Sequence, residues 1–214
     1  MASQNYRIRR FNSFYGRHNQ KMICNAYYCK SRLFNTTFSE SHISNVNFRG
    51  STITHCSFKG TNLIAVDFWG TNLSKCNFTN ACLVNTTFVA ANLRGSNFMN
   101  VNFNNVVFVN TNLRDAKHLT GFENGLHVYH SYPQVQINQD IKEALDRLKN
   151  NLHLYKTRIL FLPNNRINNL NLYLLFQKYS EQELLRAFSV LQNTAHDIYT
   201  FGQLDSIIEH TIKR

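Results

Sequence analysis

Residues 61–78 read TNLIAVDFWGTNLSKCNF. Thr61-Asn62-Leu63 returns as Thr71-Asn72-Leu73, and Leu63, Phe68, Leu73 and Phe78 fall on every fifth residue. A helix repeats its faces every 3.6 residues and a strand every two, so a five-residue spacing suits neither. It asks for a chain that turns a corner after each short extended segment.

The spacing runs far beyond this stretch. In steps of five from Ile23 to Leu113, nineteen consecutive positions are large and apolar, without a slip of register. Two residues before these centres stand small or modest side chains such as Ser51, Cys56, Thr61, Val66, Thr71 and Cys76. Two residues after them Asn and Gly are common, as at Asn45, Gly50, Gly60, Gly70, Asn80 and Asn85. These are the residues that tolerate a left-handed corner.

The pattern over about residues 21–117 resembles the pentapeptide-repeat family. That resemblance implies a right-handed, quadrilateral parallel β-helix in which four pentapeptides make one coil and residues twenty apart stack. Sorting the centres by twenty gives two phenylalanine-rich columns: Tyr28, Phe48, Phe68, Phe88, Phe108, and Phe38, Phe58, Phe78, Phe98. The other two columns are Leu and Ile except for Phe103. A twenty-residue coil explains this segregation. Stability then comes from stacking, because one coil cannot bury its own apolar residues.

The expected architecture is an all-β solenoid plus α: about five coils followed by a small helical domain. The expected boundaries are a basic N-terminal segment and cap at 1–20, the β-helix at 21–117, a linker at 118–137 and the helical domain at 138–214. Phe11, Phe14 and Tyr15 are the expected cover for the first coil. In the last segment Asn138 reads as an N-cap before the stripe Ile141, Leu145, Leu148, Leu152. Residues 167–179 read as a second, buried helix. Ser180-Glu181-Gln182-Glu183 is a capping-box pattern opening a third, with Leu184, Leu185, Phe188 and Leu191 inside. Gly202 separates it from a last helix carrying Leu204, Ile207, Ile208 and Ile212.

Catalysis needs converging acids, bases or a nucleophile. Residues 21–115 contain only Glu40, Asp67 and Asp115 as acids, too few for paired-carboxylate chemistry. No glycine-rich phosphate loop, nucleophile elbow or zinc-protease helix is present, so an enzyme is not expected, nor a cofactor. Five cysteines in no framework spacing favour a reducing compartment. Cys56 and Cys76 read as core thiols. Cys24 with Cys29, and His127 with His130, do not complete a four-ligand zinc spacing. His42 and His55 read as solvated surface residues.

No stretch is long and apolar enough for a membrane span, and the basic start MASQNYRIRRF lacks the apolar core of a secretory signal. The chain carries a formal net charge of +11. Residues 1–20 hold four Arg and no acid, and residues 21–115 hold eight basic residues against three acids. Such a surface suits nucleic acid, anionic lipid or an acidic protein, and also simply keeps a protein soluble.

The outward positions, one residue after each centre, supply the candidate sites. Trp69, Val89 and Val109 share one face, Ile64 and Val84 the preceding one, and Val107 lies close by. Together they read as an apolar patch. The C-terminal helices, a second copy of the chain, or a partner protein are the alternatives for covering it. Arg94 and Arg114 stack on another face, near Arg32 and Lys75, either as a solvated basic face or as a dock for phosphate or an acidic partner.

The resemblance therefore implies a non-catalytic interaction scaffold whose partner is a protein, or itself as a homodimer, in the bacterial cytoplasm or translocated into a host cell as an effector. The rival is a nucleic-acid-binding protein using Arg7, Arg9, Arg10, Arg17 and the Arg94/Arg114 face. The family's quinolone-resistance members bind DNA gyrase by resembling DNA, which requires an acidic rod. The net positive charge of this repeat, and the lack of long loops between its coils, argue against that role.

Overall fold

The computed structural model describes residues 12–120, 125–195 and 197–213, and of residues 12–15 the backbone alone. The chain forms two compact units, 1–130 and 131–214.

The first unit is a parallel β-solenoid of about six turns. Its strands are β1 (Asn12–Arg17), β2 (Met22–Tyr27), β3 (Arg32–Thr37), β4 (His42–Asn47), β5 (Thr52–Thr54) and β6 (Asn62–Ile64). There follow β7 (Cys82–Val84), β8 (Thr87–Val89), β9 (Asn102–Asn104), β10 (Val106–Val109) and β11 (Leu126–Tyr129). They stack as β1-β3-β5, as β2-β4-β6-β7-β9, and as β11-β10-β8, all parallel. Bridges from Thr37 through Ser57, Asn77 and Asn97 to Lys117 make the fourth face. The register is twenty residues: Ile43 pairs with Leu63, Leu63 with Leu83, and Phe88 with Phe108.

Corners recur at every fifth residue from Gln20 to Asp115, and each has a positive φ, between 46° at Asn110 and 70° at Gly95. A left-handed residue costs an ordinary L-amino acid about 1–2 kcal/mol, and least for Gly and Asn. That is why those two residues dominate the corners, with Gln20, Lys30, Glu40, His55, Ala65, Lys75, Ala90 and Asp115 as the exceptions.

Inside, the phenylalanines form two continuous stacks. Phe38, Phe58, Phe78 and Phe98 lie ring over ring with centroids 5.1–5.4 Å apart. In the other stack Phe48, Phe68 and Phe88 are 5.5 and 5.0 Å apart. Phe108 then turns edge-on to Phe88, with planes at 86°. Its coil also holds Phe98 and Phe103, so three rings share a layer that elsewhere holds two.

The small position before each centre has a second task. Where it is Ser or Thr, and at Cys76, its hydroxyl or thiol commonly bonds to the backbone carbonyl 23 residues earlier, at a centre of the preceding coil, although Thr36 and Cys56 donate instead to the carbonyl two residues back. Thr61 donates to Phe38, Thr71 to Phe48, Cys76 to Ile53, Thr86 to Leu63, Ser96 to Leu73 and Thr111 to Phe88, at 2.7–3.1 Å. The hydroxyls therefore tie successive coils together from within.

Both ends of the solenoid differ from the expected boundaries. β1 pairs with β3, so coiling starts before residue 21. Phe11 and the side chains of Phe14 and Tyr15 lie outside the described residues; it is His18 that stacks on Phe38, at 5.7 Å. At the far end the five-residue rhythm lapses after Leu113, yet β11 joins β10 with Val128 beside Phe108. Gly125 forms its corner, at φ +89° and with the Asn105 backbone nitrogen 2.9 Å from where a Cβ would stand.

The second unit holds α1 (Gln139–Leu148), α2 (Leu152–Thr157), α3 (Asn169–Phe176), α4 (Glu181–Leu191) and α5 (Phe201–Ile212). Asn138 caps α1 through the Ile141 N–H, and Ser180 with Glu183 forms a complete capping box on α4. Three details depart from the sequence reading. Leu152 is not on the α1 stripe: it opens α2 and is 57% exposed, because Asn151 caps a new helix there. Gly202 lies inside α5, whose cap is Thr200. Among the described residues the helices number five rather than three or four. Their core comprises Ile141, Leu145, Leu148, Leu160, Phe161, Leu172, Leu184, Phe188, Leu204 and Ile208 among others.

Candidate interaction surfaces

The expected apolar patch is only partly open. Val89 and Val109 are 1% and 0% exposed and Val107 is also buried, which corrects the expectation that they face water. β11 adds a layer beside β10 that the repeat does not disclose, with Tyr129 paired to Val109. Trp69, Ile64 and Val84 are half-buried, and Ile64 pairs with Val84 in register.

Trp69 belongs to a polar setting. The Arg49 guanidinium lies 4.2 Å from the centre of its ring. Beside it in the chain, Asp67 is buried and accepts from the Thr87 hydroxyl at 2.6 Å. Asn47, one coil back from Asp67, accepts through its side-chain oxygen from the Arg49 backbone N–H and the Cys29 thiol. A cation thus lies over the ring, and the strand that carries it is hydrogen-bonded through Asp67.

Arg94 and Arg114 are 58% and 73% exposed, and both Nε atoms approach one Asp115 oxygen, at 3.4 and 3.8 Å. Arg32 and Lys75 are exposed as well; Arg32 shares the arginines' face but stacks in the column of Thr52, Asn72, Asn92 and Asn112. Of the basic N-terminal residues, Arg7, Arg9 and Arg10 lie outside the described residues and Arg17 is exposed.

The thiols divide by burial. Desolvation pushes the Cys29 thiol up to about 11 and the Cys76 thiol well above its ordinary range. A hydrogen bond with Cys76 lowers Cys56. Cys24 and Cys82 are half-buried, and all five are free. His42 is half-buried and His55 is exposed, edge-on to Phe34 at 5.2 Å. Among the described residues no group of three His, Cys, Asp or Glu is placed to hold a metal.

Two polar clusters in the helical unit escaped the sequence reading. The His153 ring meets Asp197 at 2.5 Å, and the Tyr199 hydroxyl reaches the other carboxylate oxygen. Buried Asp205 accepts from Lys178 and from the Tyr179 hydroxyl, at 2.9 and 2.8 Å. Apart from Tyr199 and Asp197, two residues apart, the partners lie 26–44 residues apart, so no local pattern could bring them together. Both clusters join elements within the unit, and their ionisable groups are already partnered.

A model of pentapeptide repeats matches eight copies within residues 31–117. Residues 31–117 belong to the pentapeptide-repeat family. The solved structures that the chain resembles include a pentapeptide repeat protein from the thylakoid lumen of Arabidopsis thaliana. It is 17% identical, with 71% of this chain and 83% of that one covered and a TM-score of 0.33. A pentapeptide repeat protein from Nostoc PCC 7120 is 22% identical over 41% of this chain and 75% of its own, with a TM-score of 0.31. QnrB1, a plasmid-mediated fluoroquinolone resistance protein, is 18% identical over 56% of this chain and 72% of its own, with a TM-score of 0.20. The sequence matches no curated protein. No helix among the described residues is long and apolar enough to cross a membrane.

Proposed function

We propose that this pentapeptide-repeat protein is a non-catalytic interaction scaffold. Its rod presents outward side chains at fixed spacing to a protein partner. The supporting observation is the rod's internal bonding. Twenty-residue pairing on four faces, with hydroxyls tied to the coil beneath, holds every outward column in place before any partner arrives. Binding to a preorganised surface avoids the cost of ordering it, which otherwise takes about 0.5–1.5 kcal/mol per immobilised side chain. The half-buried Trp69, braced by Arg49 and flanked by Ile64 and Val84, is the anchor of that surface, since aromatic residues dominate interface energies.

The test is a pull-down from bacterial and host-cell lysates with the tagged full chain, after nuclease treatment and a high-salt wash. A protein retained by the wild type and lost with Trp69→Ala, at unchanged thermal stability, supports the reading. Retention of no protein, or equal retention by the variant, overturns it.

A further inference from the structure

The corner of the solenoid that carries Lys75, Arg94 and Arg114 has an unusual balance of donors and acceptors. Backbone bonds from Lys75 N to the Arg94 carbonyl, and from Gly95 N to the Arg114 carbonyl, set three successive coils in line. The Lys75 stem runs down the corner over Gly95, with Cγ 3.6 Å from where a Cβ would stand. Lys117, bridged to Asn97 on the adjoining face, is exposed beside them.

The neighbouring asparagines spend their acceptors inward. The side-chain oxygens of Asn72, Asn92 and Asn112 accept from the backbone N–H groups of Ser74, Arg94 and Arg114, at 3.0–3.1 Å. Ser74, Asn92 and Asn112, on the face of the two arginines, are short and polar; Met99, 40% exposed, lies on the adjoining face that carries Lys117. What faces water is therefore donors and positive charge. One carboxylate, Asp115, touches the Nε atoms of both arginines. No described residue accepts from their terminal nitrogens.

We propose that this corner binds the phosphodiester backbone of nucleic acid. Guanidinium groups pair two-pronged with phosphate oxygens, and a file of cations one coil apart, about 4.8 Å, follows a continuous line of charge. Protein hot spots centre on Trp, Tyr and Arg anchors packed into desolvated pockets, and Arg94 and Arg114, 58% and 73% exposed, occupy no such pocket; phosphate contacts need none and carry no sequence preference. The site is separate from the Trp69 surface and stands or falls independently of it.

Fluorescence anisotropy with the full chain and a labelled DNA duplex of about twenty base pairs tests the assignment at about 50 and 200 mM salt. Four phosphate contacts give a logarithmic salt slope near −3.6, hence a loss of affinity of roughly a hundredfold between those conditions. Arg94→Glu with Arg114→Glu lies on the surface and is expected to preserve the melting temperature, to weaken binding at least about tenfold and to roughly halve the slope. Lys30→Glu with Lys59→Glu, elsewhere on the rod, is the control and is expected to change affinity by less than about threefold. Absence of binding at low salt overturns the proposal, as does an equal loss in the two variants. Competition by poly-glutamate of matched charge as effective as unlabelled DNA overturns the assignment to phosphodiester.

Discussion

The hydroxyl of Thr71 donates to the carbonyl of Phe48 across one coil of the solenoid, at 2.9 Å, and Thr71 is 1% exposed. The same carbonyl accepts the Ser51 N–H that closes its own turn. Thr71→Val keeps the shape and removes one donor, and a net hydrogen bond of this kind is worth about 1 kcal/mol. For a chain of this size that is a drop in melting temperature of about 2–4 °C. Calorimetry reads it, and an unchanged transition in Thr71→Val would show that packing alone holds the coils together.

The two neighbours Phe68 and Trp69 should differ sharply. Phe68 is 0% exposed and stacks on Phe48 and Phe88, so Phe68→Ala is expected to cost about 3–5 kcal/mol. Trp69 is half-buried on the outside, and Trp69→Ala is expected to cost much less despite removing more atoms. Urea denaturation of both variants decides it. Equal losses would mean that the inward register has been misassigned.

That register was open to reading because five-residue spacing and twenty-residue segregation are both local patterns of residue type. So were the Asn138 and Ser180 caps, each announced by a polar residue before an apolar run. Strand β11 was not. Its link to the repeat is carried by Val128, Leu126 and Gly125, twenty residues beyond Phe108, Val106 and Asn105, while intervening positions such as His118 break the rhythm. The sequence shows that Val89 and Val109 point outward, but not whether anything covers them, since burial depends on contacts between distant segments. For the same reason the Asp115 contact to both arginines was visible only as a charge near a corner.

The corners offer a gain in stability. Ala90 is exposed at φ 48°, a left-handed conformation that costs an L-residue about 1–2 kcal/mol. Ala90→Gly removes that strain and gives back about 0.5–1 kcal/mol of chain entropy. The expected net change is a stabilisation of up to about 1.5 kcal/mol. Chemical denaturation of Ala90→Gly beside wild type reads it, and a lower midpoint would place the strain elsewhere.

Burial of Cys29 links stability to alkaline pH. Its thiol is raised from 9.0 in the open chain to about 11 when folded, so between those values the folded state holds a proton that the unfolded state has released. The contribution is complete below about pH 9 and declines as pH rises toward about 11, by about 1.4 kcal/mol per unit. Cys29→Ala removes this slope, so the stabilities of the two proteins should converge with rising pH in that window. The same burial makes native-state alkylation selective. Iodoacetamide at neutral pH should label half-buried Cys24 and Cys82 first, leaving Cys29 and Cys76 until the chain unfolds, as peptide mass mapping would show. Early labelling of Cys76 would mean that coils open locally, and that the bond from its thiol to the Ile53 carbonyl is not a standing part of the rod.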